Sequence, residues 1–168
     1  MPTTSRPALA CLTALLLAAA GGAVAHEPPR GADGERAAGA PPKPVLDRSG
    51  KKRVGKASFY ARKFFGRTMA DGTPMDPNDD NAASKTLPLG TTARVTNLET
   101  GQSAVVTIQD RGPYVKGRIV DLSPATAEKI GLTPEEGLAP VEVAPIAVPQ
   151  PDGSIKAGAA ARELETDS

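Results

Sequence analysis

Along Ser103-Ala104-Val105-Val106-Thr107-Ile108 the side chains alternate with the period of a strand, and the same phase puts Ala104, Val106, Ile108 and then Asp110 on one face. A carboxyl group therefore stands at the end of a row that points into a core. Gly112-Pro113 turns the chain directly afterwards and keeps that carboxyl at the rim of the sheet. Further short strands are predicted over 55–60, 91–96, 118–122 and 139–143. Asn97-Leu98-Glu99-Thr100-Gly101 reads as a hairpin loop, with glycine where a positive φ is wanted. One helix is marked by Ser123 as N-cap, Pro124 at the first helical position and Gly131 as its stop, and a second short one is predicted to open at Pro134-Glu135-Glu136. Many short strands with little helix favour a closed barrel, because closure removes exposed sheet edges. Residues 66–81 are rich in turn formers and poor in core residues, and so long a loop in a small domain is either functional or disordered.

One apolar run lies apart from this pattern, from Ala8 to Ala20, preceded by Arg6 and followed by Ala23-Val24-Ala25. That is the grammar of a signal peptide over residues 1–25, so the mature chain is expected to begin at His26 and to be exported to the periplasm or cell envelope. The run is shorter than the roughly 20 residues a bilayer span needs. Most of it follows Cys11 instead of preceding it, so Cys11 is not expected to carry a lipid and no membrane anchoring is expected. Cleavage after Ala25 removes the sole cysteine and makes the sole histidine the new N-terminus. Disulfides, thiolate metal sites, cysteine nucleophiles, Ser-His-Asp catalysis and histidine zinc sites are thereby excluded. Without Arg6 the chain has 19 basic and 19 acidic side chains, a balance that argues against nucleic acid as a partner. Residues 26–53, rich in Pro, Gly and Ala, read as an extended linker, and 149–168 as a disordered C-terminal tail. Between them 54–148 forms one domain, expected to be monomeric, with room for one small core.

The chemistry centres on Asp110. Burial disfavours an ionised carboxyl and a neighbouring cation favours it, so a carboxyl balanced between the two gives and takes protons near neutral pH. Arg111 is the adjacent cation; the bland alternative is that Asp110 merely pairs with it or caps the turn. Asp76, Asn78 and Asp80 alternate like calcium ligands, but position six is Asn81 and position twelve is Leu87, where such a loop needs Gly and Glu. No metal and no cofactor are therefore expected.

The blocks Gly55-Lys56-Ala57-Ser58-Phe59-Tyr60, Gly66-Arg67, Ala70-Asp71-Gly72, Asp76, Ala82-Ala83-Ser84-Lys85-Thr86-Leu87-Pro88-Leu89-Gly90-Thr91, Arg94-Val95-Thr96-Asn97-Leu98, Asp110-Arg111-Gly112-Pro113-Tyr114 and Arg118-Ile119-Val120-Asp121-Leu122-Ser123 resemble, in order, the rare lipoprotein A (septal-ring lytic transglycosylase) family. The resemblance implies a mainly β fold, a six-stranded double-psi β-barrel with one or two short helices, related to expansins and family 45 endoglucanases. It implies peptidoglycan glycan strands as partner, cut between N-acetylmuramic acid and N-acetylglucosamine to 1,6-anhydro ends. One carboxyl suffices for that reaction, first as acid and then as base.

By position Asp110 matches the family's essential Asp and is the acid/base candidate. Asp76 keeps its family place on the same loop, with turn capping as the alternative. Asp121 aligns with an Asp shared by expansins and family 45 enzymes, with anchoring of the Ser123 helix start as its alternative. Tyr60, Thr73, Ser84, Lys85, Arg111 and Tyr114 are the candidate substrate contacts, the two tyrosines by stacking on sugar rings, and one of Phe64 and Phe65 is expected in the core. Thr73 and Ser84 stand where active members carry Glu and His, and neither transfers protons near neutral pH. A non-catalytic, expansin-like module that binds or remodels peptidoglycan is the second reading.

Overall fold

The computed structural model describes residues 45–166. The expected leader, Cys11, His26 and most of the linker lie outside the described residues. In chain order the elements are β1 (Arg53–Phe59), a 3-10 turn (Arg62–Phe64), β2 (Asn81–Ala83), β3 (Thr92–Asn97), β4 (Ser103–Asp110), β5 (Arg118–Leu122), α1 (Pro124–Lys129), β6 (Ala139–Pro149), β7 (Ile155–Ala157) and α2 (Ala159–Thr166).

Strands pair in the order β1-β5-β2-β4-β3-β6, and β6 pairs back with β1, so six strands close into a barrel. Two pairings are parallel, β1 with β5 and β2 with β4; the other four are antiparallel. This mixed, closed, six-stranded sheet is the double-psi barrel that the sequence implied. Inward positions supply the core, with Val95, Val106, Ile108, Val120, Leu122 and Val141 all essentially inaccessible. Alternation along β4 behaves as expected, since Val106 and Ile108 are buried and Val105 is 48% exposed.

β2 had no signal in the sequence. Asn81, Ala82 and Ala83 have little strand propensity, yet all three are buried because β2 is wedged between β4 and β5. α1 forms as predicted, with the Ser123 hydroxyl accepting from the Thr126 amide at 3.1 Å. The second predicted helix does not form. Thr133 and Glu136 bond each other reciprocally, but Gly137, at φ 66°, ends the chain's single turn there.

The expected disordered tail is also corrected. β6 runs on to Pro149, Asp152 caps a turn at Gly153, and β7 then pairs back onto β6. α2 follows, burying Ala160. The end of the expected linker packs as well: the Asp47 amide donates to the Thr86 carbonyl at 2.7 Å, and the Ala159 amide to the Gly50 carbonyl at 2.8 Å. Lys52 and Arg94 both pair with Glu163 of α2. Gly158 makes this closure possible, because a Cβ there would lie 2.1 Å from the Pro145 carbonyl oxygen.

Candidate functional site

Sheet register brings the carboxylates together. On β2, Ala83 has Asp110 of β4 as its partner on one side and Asp121 of β5 on the other, and Asp121 in turn pairs with Ser58 of β1. Partners across a sheet project to one face, and two strand steps place the Cα atoms of Asp110 and Asp121 roughly 10 Å apart. Register skips Gln109 at a bulge, Ala82 facing Ile108 and Ala83 facing Asp110. Bulges of this kind aim a side chain and end a pairing. Here the bulge delivers Asp110 out of the main core, to a smaller cluster of Tyr60, Met69, Met75 and Ala83.

The long 66–81 loop is ordered where it meets this cluster. Gly66 and Met75 amides donate to the Met75 and Arg67 carbonyls at 2.9 and 2.8 Å, and the Met69 amide to Thr73 at 2.8 Å, forming a small hairpin tipped by Gly72 at φ 93°. Met69 and Met75 plug it onto the barrel. Its tip is fastened to the bulge, the Asp71 amide donating to the Gln109 carbonyl at 3.0 Å.

Asp110 is half-buried and its carboxylate is held by three donors. Oδ1 accepts from the Ala70 amide at 3.0 Å and the Arg111 amide at 2.8 Å. Oδ2 accepts from the Tyr60 hydroxyl at 3.0 Å. With two lone pairs per oxygen, Oδ1 is filled and Oδ2 keeps one position free. Burial pushes the Tyr60 phenol well above its ordinary value, and the charge and hydrogen bond of Asp110, then the charge of Asp121, push it the same way. Tyr60 therefore stays protonated and stays a donor. It is only 8% exposed, so the face expected to stack on sugar is turned to the protein.

Arg111 does not pair with Asp110 through its side chain. Its guanidinium donates to the carbonyls of Ser84 and Leu87 at 3.2 and 2.5 Å and fastens the turn after β2. Ser84 is 2% exposed, its hydroxyl accepting from the Leu87 amide at 3.2 Å, which withdraws it from any sugar. Thr73 sits at the hairpin tip with its hydroxyl on Asp71 at 2.7 Å. Asp76 is exposed and caps its own turn through the Asn78 amide at 2.8 Å. Asp121 accepts from Ser58 and from Arg118, the latter at 2.5 Å, so its partner is Arg118 and not the helix start. Tyr114 is 71% exposed, with Lys85 Nζ 5.9 Å from its ring. Phe64 and Phe65 are both partly exposed, so neither joins the core.

Asp80, third of the calcium-like trio, is taken by Lys129 at 2.7 Å. Among the described residues no cluster of His, Cys, Asp and Glu is arranged for a metal.

Asp110 opens into a cleft of about 250 Å³ lined by Tyr60, Phe64, Arg67, Thr68, Met69 and Met75. Sequence reasoning missed the Ala70 amide, which no side-chain pattern reveals, and Arg67, although Gly66-Arg67 was among the recognised blocks. The arrangement is a lone carboxyl with one free lone pair, fixed by donors and facing an open cleft. Asp121, tied to a cation, flanks it one strand beyond β2.

A Pasteurella multocida protein named endolytic peptidoglycan transglycosylase RlpA is 54% identical over 84 residues, covering 50% of this chain and 29% of that one. The Pseudomonas aeruginosa PAO1 protein of that name is 45% identical over 100 residues (60% and 29%), and the Vibrio cholerae one 45% over 107 residues (64% and 40%). The chain thus spans well under half the length of these relatives. Among solved structures, Streptomyces papain inhibitor aligns with a TM-score of 0.43 at 25% identity, over 55% of this chain and 92% of that one. The family described as lytic transglycolase matches residues 52–143, from just before β1 into β6 and across every element of the site, and the chain belongs to that family.

Proposed function

We propose that this protein is an exported, peptidoglycan-acting lytic transglycosylase that cleaves glycan strands between N-acetylmuramic acid and N-acetylglucosamine, with Asp110 as its one acid/base. The observation that carries the reading is the Asp110 carboxyl, held by Tyr60, Ala70 and Arg111 with one Oδ2 position open to the cleft. In the first step a proton on Oδ2 passes to the glycosidic oxygen as the bond from C1 to that oxygen breaks. In the second, the 6-hydroxyl of the same muramic acid residue adds to C1 and returns its proton to Oδ2, leaving a 1,6-anhydro end. No water is consumed, so no second free carboxylate is needed; Asp121, bound to Arg118, is unsuited to activating one. Tyr60 stays protonated throughout and holds Oδ2 in place. The names of the relatives favour peptidoglycan as substrate and the cell envelope as the place of action.

The test is incubation of the full chain with purified sacculi and mass spectrometry of the soluble products. Release of 1,6-anhydro-muropeptides is expected. The replacement of Glu and His by Thr73 and Ser84, the latter hydroxyl buried, favours the expansin-like module as the second reading. Sacculus binding with no product at all would establish that reading instead.

A further inference from the structure

Arg67 lines the Asp110 cleft and Lys63 lies over the ring of Phe64, another of its lining residues; both cations are exposed and neither is ion-paired among the described residues. The carboxylates nearest in sequence are engaged elsewhere, Asp71 with Thr73 and Asp76 with Asn78. Both cations face the same ring. Lys63 Nζ lies 5.2 Å and Arg67 Cζ 6.0 Å from the centre of the Phe64 ring. Phe64 packs edge-on against Tyr60, ring centres 6.0 Å apart, and Tyr60 bonds Asp110. The Arg67 backbone is fixed at both ends, its amide donating to Phe64 at 3.0 Å and its carbonyl accepting from Met75. A chain of contacts thus runs from Arg67 through Phe64 and Tyr60 to Asp110, and both of its ends line one cleft.

We propose that Arg67, assisted by Lys63, reads a carboxylate on the substrate, the one carried on the lactyl branch of the muramic acid residue whose bond is cut. This deepens the transglycosylase reading and rests on it for the identity of the glycan. A guanidinium fork suits a carboxylate, and Arg67 forms no ion pair with Asp110, the one acidic side chain lining the same cleft, so its fork is left for the substrate. The carboxylate has two possible sources: the free lactyl group of a peptide-free strand, or the stem peptide attached there.

The experiment measures binding, so it does not depend on turnover. Soluble glycan strands are prepared peptide-free or peptide-bearing, each with carboxylates intact or converted to amides, and titrated against the full chain and Lys63→Gln/Arg67→Gln. On intact strands the double variant is expected to bind about tenfold more weakly, with a shallower salt dependence. On amidated strands wild type and variant are expected to bind alike, at the variant's level. Loss on peptide-free strands assigns the lactyl carboxylate, and loss confined to peptide-bearing strands assigns the stem peptide. Arg67→Lys, which keeps the charge and loses the fork, is expected to recover part of the affinity. Equal binding of wild type and double variant to intact strands, or failure of wild type to discriminate intact from amidated strands, overturns the proposal. Absence of anhydro products from wild type refutes the transglycosylase reading and leaves this comparison standing.

Discussion

Replacing Asp110 by Asn separates the chemistry of the site from its architecture. The amide keeps the shape of the carboxyl, and its oxygen can retain the Ala70 and Arg111 amides at Oδ1. The new NH₂ group then faces the Tyr60 hydroxyl, a rotor that can turn from donating to accepting. What is lost is the extra strength of bonds to a charged acceptor, about 1 kcal/mol in total, which lowers the melting temperature by roughly 3–8 °C. The proton is lost altogether. On the proposed reaction the same group must give it and take it back, so turnover is expected to fall by about 10⁴-fold, the upper end for general acid–base catalysis. Asp110→Ala makes the contrast. It strands three donors, at about 1–3 kcal/mol for each that water does not reach, so it is expected to be the less stable variant while no less inactive. The assay pairs anhydro-muropeptide release from sacculi with thermal denaturation and sacculus binding. If Asp110→Asn keeps more than about a tenth of wild-type turnover, Asp110 is not the proton shuttle; if Asn melts as low as Ala, the carboxylate is architectural.

Three further outcomes follow from the same coordinates. In a Tyr114→Phe variant, where Tyr60 is the remaining tyrosine, the tyrosinate absorbance is expected to stay flat past pH 10 and to rise only as the barrel unfolds, because burial and Asp110 hold the Tyr60 phenol protonated. Bonds from Lys52 and Arg94 hold Glu163 below its ordinary range, so its contribution is present above the unfolded value of about 4.3 and is lost as pH falls through and below it. The melting-temperature gap between wild type and Glu163→Gln should therefore be steady near neutrality and close as pH falls below the ordinary glutamate range; a gap that persists in acid refutes the pairing. Gly158→Ala drives a Cβ against the Pro145 carbonyl, so α2 must shift, endangering the Gly158 and Ala159 amide bonds. A loss of about 2–4 kcal/mol in denaturant unfolding is expected, and a neutral result would mean that α2 is not seated there.

What the sequence showed and what it hid divide along the range of the interactions. Asp110 was legible in part because strand phase and turn chemistry are local: two residues on from Ile108 and just before a Gly-Pro turn, it falls at the end of the strand, whereas the bulge that moves it out of the main core depends on pairing with β2. The Ser123 cap and the Asn97–Gly101 loop were legible for the same reason. β2 was not, since Asn81-Ala82-Ala83 becomes a strand through neighbours contributed by β4 and β5, far along the chain. The C-terminal segment misled by its polarity. Its apolar burial is small, with Ala160 the main side chain covered, and it is held by backbone bonds and by charges on β3 and the residue before β1.

Arg111 and Ser84 show why recognised motif positions still require geometry. Adjacency to Asp110 suggested an ion pair for Arg111, but β4 ends at Asp110 and the Arg111 side chain leaves it toward the turn after β2. The guanidinium is thereby sent to the Ser84 and Leu87 carbonyls, while its amide remains beside the carboxylate. Ser84, one residue past Ala83, is consumed by the same turn. The cation that does reach the Asp110 cleft is Arg67, from a loop that carries no periodic signal. Local pattern thus placed Asp110 at the end of β4, and chain closure selected the groups that surround it. Restoring Glu at Thr73 would place a carboxyl at an exposed hairpin tip already fastened to the Asp110 bulge by Asp71, whereas restoring His at Ser84 would force an imidazole into a buried turn. The two substitutions are therefore not equivalent: Thr73→Glu is the change that the barrel accommodates, and on the proposed transglycosylase reading a gain in anhydro product is expected from it alone, with none from Ser84→His.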